Sequence, residues 1–216
     1  MCKGVIFDMD GVLIDSHPAH KRAWAQFLAS LDRRTSDEEL EFVMDGRKRE
    51  EILRHFLGDL SSERIEEYGR QKNEHFKESA AALRIIAGVG EFIDTLESAG
   101  IPMAVATCAS EARARDILRQ LGLYSRFAAI VTANDVAKGK PDPEIFVRAA
   151  EQLQLTPQSL LVVEDAVSGV QAAKSAGMKC LGIAAEGRAG KLMNAGADCV
   201  IPDYRQISLS QVRQLF

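Results

Sequence analysis

Val5-Ile6-Phe7-Asp8-Met9-Asp10-Gly11-Val12 is the stretch from which the rest of the chain can be read. A short apolar run that ends in two carboxylates reads as a strand buried on both faces, its carboxyl end opening into a site. Open α/β sheets bind their ligands at that end. Asp8 and Asp10, with an unperturbed pKa of about 3.9, are both ionised at neutral pH, and two anions this close repel unless a cation lies between them. Oxygen ligands that include a main-chain carbonyl suit Mg²⁺, which keeps several waters and binds through one or two carboxylates plus a substrate phosphate. Gly11 lets the backbone turn where a Cβ would obstruct it. Asp-x-Asp-Gly alone reads equally well as a surface turn; the apolar strand ahead of it favours a site.

The bulk properties narrow the class. A chain of 216 residues buries a substantial core, as one domain or a domain plus a modest insertion. Its 46% hydrophobic and 27% charged residues are globular values that exclude disorder. A formal charge of −4 offers no basic stripe for a phosphate backbone, so nucleic acid is not an expected partner. No apolar run approaches a membrane span, and Met1-Cys2-Lys3 leads straight into a strand, so a cytoplasmic monomer without membrane partners is expected. Cys2, Cys108, Cys180 and Cys199 form no C-x-x-C pair, which argues for free thiols over zinc or disulfides.

Downstream, Asp15 to about Ala82 shows helical spacing and no convincing strand: Ala23, Trp24, Phe27, Leu28 and Leu31 recur on one face, then Ile52, Leu53, Phe56 and Leu57. A polar third helix is predicted from about Ser61 to Ser79, capped by its leading serines. From Gly90 strands and helices alternate. Strands are predicted at Pro102 to Ala106, Ala128 to Val131, Leu160 to Val163, Lys179 to Ile183 and Cys199 to Ile201, with helices between them and Gly100 closing the first. Such alternation means a doubly wound parallel sheet with right-handed crossovers, interrupted once by an all-helical insertion.

Asp8-Met9-Asp10-Gly11-Val12-Leu13-Ile14-Asp15-Ser16 resembles the first motif of the haloacid dehalogenase-like hydrolases, and the chain supplies their other motifs in order. Thr107 matches the second motif, Lys140-Pro141-Asp142-Pro143 the K-P-x-P third, and Glu164-Asp165 with Gly169 the E-D-x-x-x-G fourth. The resemblance implies a Rossmann-like α/β core at 1–15 and 84–216 and a helical cap at 16–83, joined by linkers near Asp15-Ser16 and Leu83-Ala87. It implies Asp8 as nucleophile forming an aspartyl-phosphate, which divides a hard hydrolysis into two displacements. Asp10 would act as general acid and base. Thr107 and the backbone N–H groups of Cys108 and Ala109 would hold phosphoryl oxygens beside Gly11. Lys140, rather than Lys138, would offset charge on nucleophile and phosphoryl group. Mg²⁺ would be held by Asp8, the carbonyl of Asp10 and Asp165, with Glu164 ligating or holding a metal-bound water.

Substrate choice is assigned to the cap through His20 and Arg49, with Lys48 and Arg47 as further candidates. Gly46-x-x-Arg49 looks like the substrate-facing turn of the β-phosphoglucomutase-like subgroup, where an arginine can clamp a second phosphate. Asp45 departs from that subgroup, which has a lysine there, and its charge is expected to repel a doubly phosphorylated intermediate. Ala87 departs from a proline and concerns the linker. Gly187-Arg188-Ala189-Gly190-Lys191 fails the phosphate-loop pattern, because Ala185 and Leu192 stand at two required positions. His17, His55 and His75 fall at no metal-ligand spacing. The expected function is a Mg²⁺-dependent phosphatase for a small phosphorylated metabolite such as a sugar phosphate or phosphoglycolate. A β-phosphoglucomutase-like mutase is the alternative. A metal-free dehalogenase would not need Asp10, and a mere binding protein would not retain the whole motif set.

Overall fold

The computed structural model describes residues 1–80 and 83–216. The chain opens with β1 (Gly4–Phe7) and a tight loop to β2 (Ile14–Asp15), then runs through α1 (His17–Ala29), α2 (Arg49–Leu57) and α3 (Ser62–Ala80) to β3 (Arg84–Ile85). Alternation follows: α4 (Val89–Ser98), β4 (Met103–Ala106), α5 (Glu111–Gln120), β5 (Ala129–Val131), α6 (Glu144–Leu153), β6 (Leu160–Glu164), α7 (Val167–Ser175), β7 (Lys179–Ile183), α8 (Glu186–Asn194), β8 (Cys199–Ile201) and α9 (Leu209–Gln214).

Six strands form one parallel sheet in the order β5-β4-β1-β6-β7-β8. Phe7 of β1 lies level with Val105 of β4 on one side and Val163 of β6 on the other. The strand order reverses at β1, and at such a reversal a crevice opens beyond the strands' carboxyl ends. Strand side chains alternate between faces. Val5, Phe7, Val105, Val163 and Leu181 pack on one face with α4, α5 and α9; Ile6, Ala104, Ala106, Val162 and Cys180 pack on the other with α6, α7 and α8. Both faces are therefore dry, which is why these strands are continuously apolar.

The helical insertion has its own apolar cluster, built from Trp24, Phe27 and Leu28 of α1, Val43 and Met44 of a short 3₁₀ turn, Ile52, Leu53 and Phe56 of α2, and Ile65 of α3. The opposite edges of α1 and α3 contribute Ala19, Ala23 and Phe76 to the core beside the sheet. The two expected linkers pair with each other as an antiparallel ribbon, Ile14 with Ile85 and Asp15 with Arg84, too short to leave an alternating pattern. The expected end of the helical stretch near Ala82 lies outside the described residues. Gly187 to Lys191 lies within α8. No helix among the described residues is long and apolar enough to cross a membrane.

Candidate active site

Asp8 follows β1, Thr107 follows β4, and Glu164 and Asp165 end β6, so three adjacent strands deliver their polar residues to one crevice. Lys140 reaches in from the loop before α6. Its Nζ donates to Asp8 Oδ1 at 2.6 Å and to Glu164 Oε1 at 2.5 Å, and it is 1% exposed. Burial opposes its charge, but the two carboxylates win and hold the ammonium well above its ordinary pKa. Glu164 is used up structurally. Its Oε2 accepts the N–H groups of Asp165 and Ala166 at 2.9 and 3.1 Å, and its carboxyl packs so closely on Gly169 that a Cβ there would lie 2.0 Å away. Glu164, expected to ligate a metal or hold a metal-bound water, has one oxygen on the lysine and the other on two amides, and in that arrangement it aims Lys140.

Asp8 is pushed well above the usual carboxylate range by burial and by nearby Glu164, Asp165 and Asp10, against the pull of Lys140. Asp165 Oδ2 is buried without an aligned hydrogen bond; His17 Nε2 lies 2.8 Å from it. A Cβ on Gly11, whose φ is +76°, would sit 2.4 Å from that same oxygen. Crowded carboxylates with few other oxygens beside them fit Mg²⁺, which takes few protein oxygens. Among the described residues no group of three His, Cys, Asp or Glu side chains is arranged to hold a metal ion, so Asp8 and Asp165 would hold Mg²⁺ only together with main-chain, water or phosphate oxygens.

Asp10 is held from several sides. Arg113 of α5 donates Nη1 to Oδ2 at 2.8 Å and Nη2 to Oδ1 at 2.5 Å, and Ser16 Oγ donates to Oδ1 at 2.6 Å. His20 Nε2 lies 3.3 Å from the same oxygen. Burial pushes the Asp10 carboxyl up, but Arg113 and His20 outweigh it and hold it well below the usual range. Burial and Lys72 bring His20 down to about 3, so its ring is neutral. Lys72 Nζ lies 3.0 Å from His20 Nδ1, and on the other side of the ring Nε2 lies 2.9 Å from Arg113 Nη2 and 3.3 Å from Asp10 Oδ1. Thr107 Oγ1 is buried and accepts the Ala109 N–H at 3.1 Å, shaping the turn through Cys108. Burial lifts the Cys108 thiol to about 11, so it stays protonated.

A cavity of about 300 Å³ spans from Asp8, Thr107 and Asp165 to an apolar far wall of Trp24, Met44, Ile52 and Ile65. Arg49, at the start of α2, lines it; its guanidinium lies where a Cβ on Gly69 of α3 would come within 2.4 Å, and its buried Nε has no partner. Lys48 also lines the cavity, with its ammonium donating to the Val136 and Ala137 carbonyls at 2.7 and 3.0 Å. Arg47 pairs with Asp45 and Glu51. Asp45 does not line the cavity: its Oδ1 accepts the Ser168 N–H at 3.3 Å in the first turn of α7, and its carbonyl accepts the Ser168 hydroxyl. The expected repulsion of a second phosphate by Asp45 is thus corrected, its charge being engaged at a helix N-terminus that favours anions.

Sequence reasoning missed Arg113, Lys72, Ser16 and the contact of His17 with Asp165. Two signals were available. Arg113 is a cation in the first turn of α5, where the helix dipole disfavours it. Lys72 interrupts the buried stripe Ile65, Gly69, Lys72 and Phe76, whose spacing of four, three and four marks one helix face.

The sequence model of the family described as "Haloacid dehalogenase-like hydrolase" matches residues 5–183. A β-phosphoglucomutase of Bacillus subtilis is 31% identical over 221 residues, covering 98% of this chain and 94% of its own length. A phosphorylated carbohydrates phosphatase of Thermotoga maritima is 34% identical over 204 residues, covering 92% and 94%. Among solved structures, the protein CbbY from Rhodobacter sphaeroides, in complex with xylulose-(1,5)bisphosphate, superposes with a TM-score of 0.84 at 27% identity, covering 97% of this chain and 98% of its own.

Proposed function

Because the chain belongs to the haloacid dehalogenase-like hydrolases, we propose that it is a Mg²⁺-dependent phosphatase for a small phosphorylated metabolite of the sugar-phosphate type. The observation that carries this is Lys140 bridging Asp8 and Glu164 at the end of β1, with Asp10 two residues on. Asp8 attacks phosphorus along the cavity axis and becomes an aspartyl-phosphate. Lys140, kept charged by its two carboxylates, offsets the negative charge shared between that oxygen and the phosphoryl group. Thr107 and the turn behind it offer donors to phosphoryl oxygens. Asp10 hands a proton to the leaving oxygen and later takes one from water, with Ser16 and His20 orienting its carboxyl. Asp8, Asp165 and the Asp10 carbonyl would hold Mg²⁺, whose charge lowers the pKa of Asp8 and draws phosphoryl charge during transfer. The cavity, at the small end of ligand sites of about 300–1,000 Å³, suits a monosaccharide phosphate. Relatives named as a carbohydrate phosphatase and a phosphoglucomutase support this substrate class.

Phosphate release from a panel of sugar phosphates, phosphoglycolate and nucleotides, with Mg²⁺ or chelator, tests the proposal. Release that requires Mg²⁺ and vanishes in Asp8→Asn is expected; release surviving Asp8→Asn would overturn the role of Asp8. A phosphomutase is the second reading, favoured by the outward turn of Asp45, which removes the repulsion that argued against it. Interconversion of hexose 1- and 6-phosphates on adding the bisphosphate would establish that activity.

A further inference from the structure

Arg113 belongs to none of the four motifs, yet its guanidinium is the principal partner of Asp10. Both edge nitrogens are on that carboxylate, Nη1 to Oδ2 and Nη2 to Oδ1. Ser16 and His20 also lie on Oδ1. A two-point guanidinium fork favours the ionised carboxylate, whereas a general acid has to carry a proton, so the fork on Asp10 belongs to the empty site and has to be displaced during turnover.

The surroundings show what can displace it. Arg113 from α5, Lys72 from α3 and Arg49 from α2 all line the same cavity. Lys72 has His20 as its polar neighbour, and Arg49 has no acidic partner among the described residues. The acids nearest them are otherwise engaged: Asp45 and Glu51 with Arg47, and Glu50 with Arg54. Asp10 is therefore the one carboxylate facing three cations on that side of the cavity among the described residues. A planar guanidinium fork recognises carboxylate and phosphate alike, bidentately. The face of the Arg113 guanidinium rests on the Phe76 ring, 4.5 Å from its centroid, which supports the plane and leaves the edge free to change partners.

Building on the phosphatase reading, we propose that Arg113 is a specificity-determining residue: it receives a second anionic group of the substrate, carboxylate or phosphate, and its fork passes from Asp10 to that group on binding. The substrate class narrows to phosphate esters that carry another anion a few bonds from the ester. Arrival of such a substrate frees Asp10 for its proton transfers, whereas a neutral ester leaves the clamp in place.

Two ligand pairs test this, each differing in the second anion: 2-phosphoglycolate against 2-hydroxyethyl phosphate, and glucose 1,6-bisphosphate against glucose 6-phosphate. Binding is measured by calorimetry with Mg²⁺ in Asp8→Asn protein, where turnover is blocked, with Arg113 intact or replaced by Met or Lys. The charged member of at least one pair is expected to bind about ten- to a hundred-fold tighter than its neutral twin. Arg113→Met abolishes that preference and Arg113→Lys, a point charge without a fork, keeps part of it. The pair that responds separates carboxylate from phosphate. Equal weakening of both members by Arg113→Met, or no preference in either pair, would overturn the proposal. A preference that depends on Arg113 in a protein whose native form releases phosphate from none of the four ligands would uphold the receptor and sink the phosphatase reading.

Discussion

At the scale of single residues, Glu164 shows how an acid's place can be read from sequence while its hydrogen-bond partners cannot. Its position at the end of a buried strand was visible; its commitment to Lys140 and to two amides depends on side-chain geometry that spacing does not encode. Glu164→Ala strands Lys140 with Asp8 alone and leaves two buried N–H groups unpaired. Breaking a buried pair costs about 3–5 kcal/mol, and the surviving Asp8 contact places the loss near about 3 kcal/mol in urea unfolding. Glu164→Gln, which still accepts from both amides, is expected to lose less. Lys72 offers a pH test. Burial and Arg113 bring its ammonium down to about 7, against the opposing pull of Asp10. In the unfolded chain it stays protonated to about 10.4, so between those values the unfolded state binds more protons and stability rises with pH. Urea unfolding at pH 6.5 and 8.5 is expected to show a rise of about 2 kcal/mol that is missing in Lys72→Met. Asp8, Asp10 and Thr107 were legible because strand ends are punctuated in sequence, and Lys140 because Pro141 and Pro143 mark its loop. Arg113 and Lys72 lie inside helices, where periodicity masks a polar residue turned inward.

At the scale of elements, most of the α/β alternation could be read, since strands dry on both faces are unbroken apolar runs and helices between them keep a period near 3.6. The ribbon β2–β3 could not, because two residues per strand carry no pattern. Helix α8 was hidden by its two glycines. The helical face of α3 yields a further prediction at Gly69. A mid-helix glycine costs about 1 kcal/mol relative to alanine, yet a methyl here would meet the Arg49 guanidinium, the far end of a flexible side chain. Gly69→Ala is therefore expected to leave urea stability unchanged or raise it by up to about 1 kcal/mol. Displacement of Arg49 should raise KM about two- to ten-fold with kcat little altered, which is how lost ground-state binding registers. A fall in kcat with KM unchanged would assign Arg49 a different part.

Across the whole molecule, Asp8, Thr107 and Asp165 reach the crevice from strand ends, whereas His20, Arg49 and Lys72 reach it from the helical insertion. Core and insertion meet at Asp45–Ser168, at Lys48 on the loop before Lys140, and at Phe76 beneath Arg113. Fold class was readable from sequence because it follows from period and order. The meeting points were not, since they join residues between 37 and 123 positions apart by contacts no local pattern records. The strand order has one more consequence, for synthesis. β1 is completed first, but both of its neighbours, β4 and β6, lie beyond the insertion. At about 5–20 residues per second, the last of them leaves the ribosome roughly ten to thirty seconds after β1. During that delay the helical segment, whose apolar cluster is local in sequence, can close by itself, while Val5-Ile6-Phe7 waits unpaired. Protease treatment of stalled nascent chains of increasing length is expected to yield a protected helical fragment first, with protection of β1 only after β6 has emerged. Asp8 is thus among the first residues made and among the last to find its surroundings.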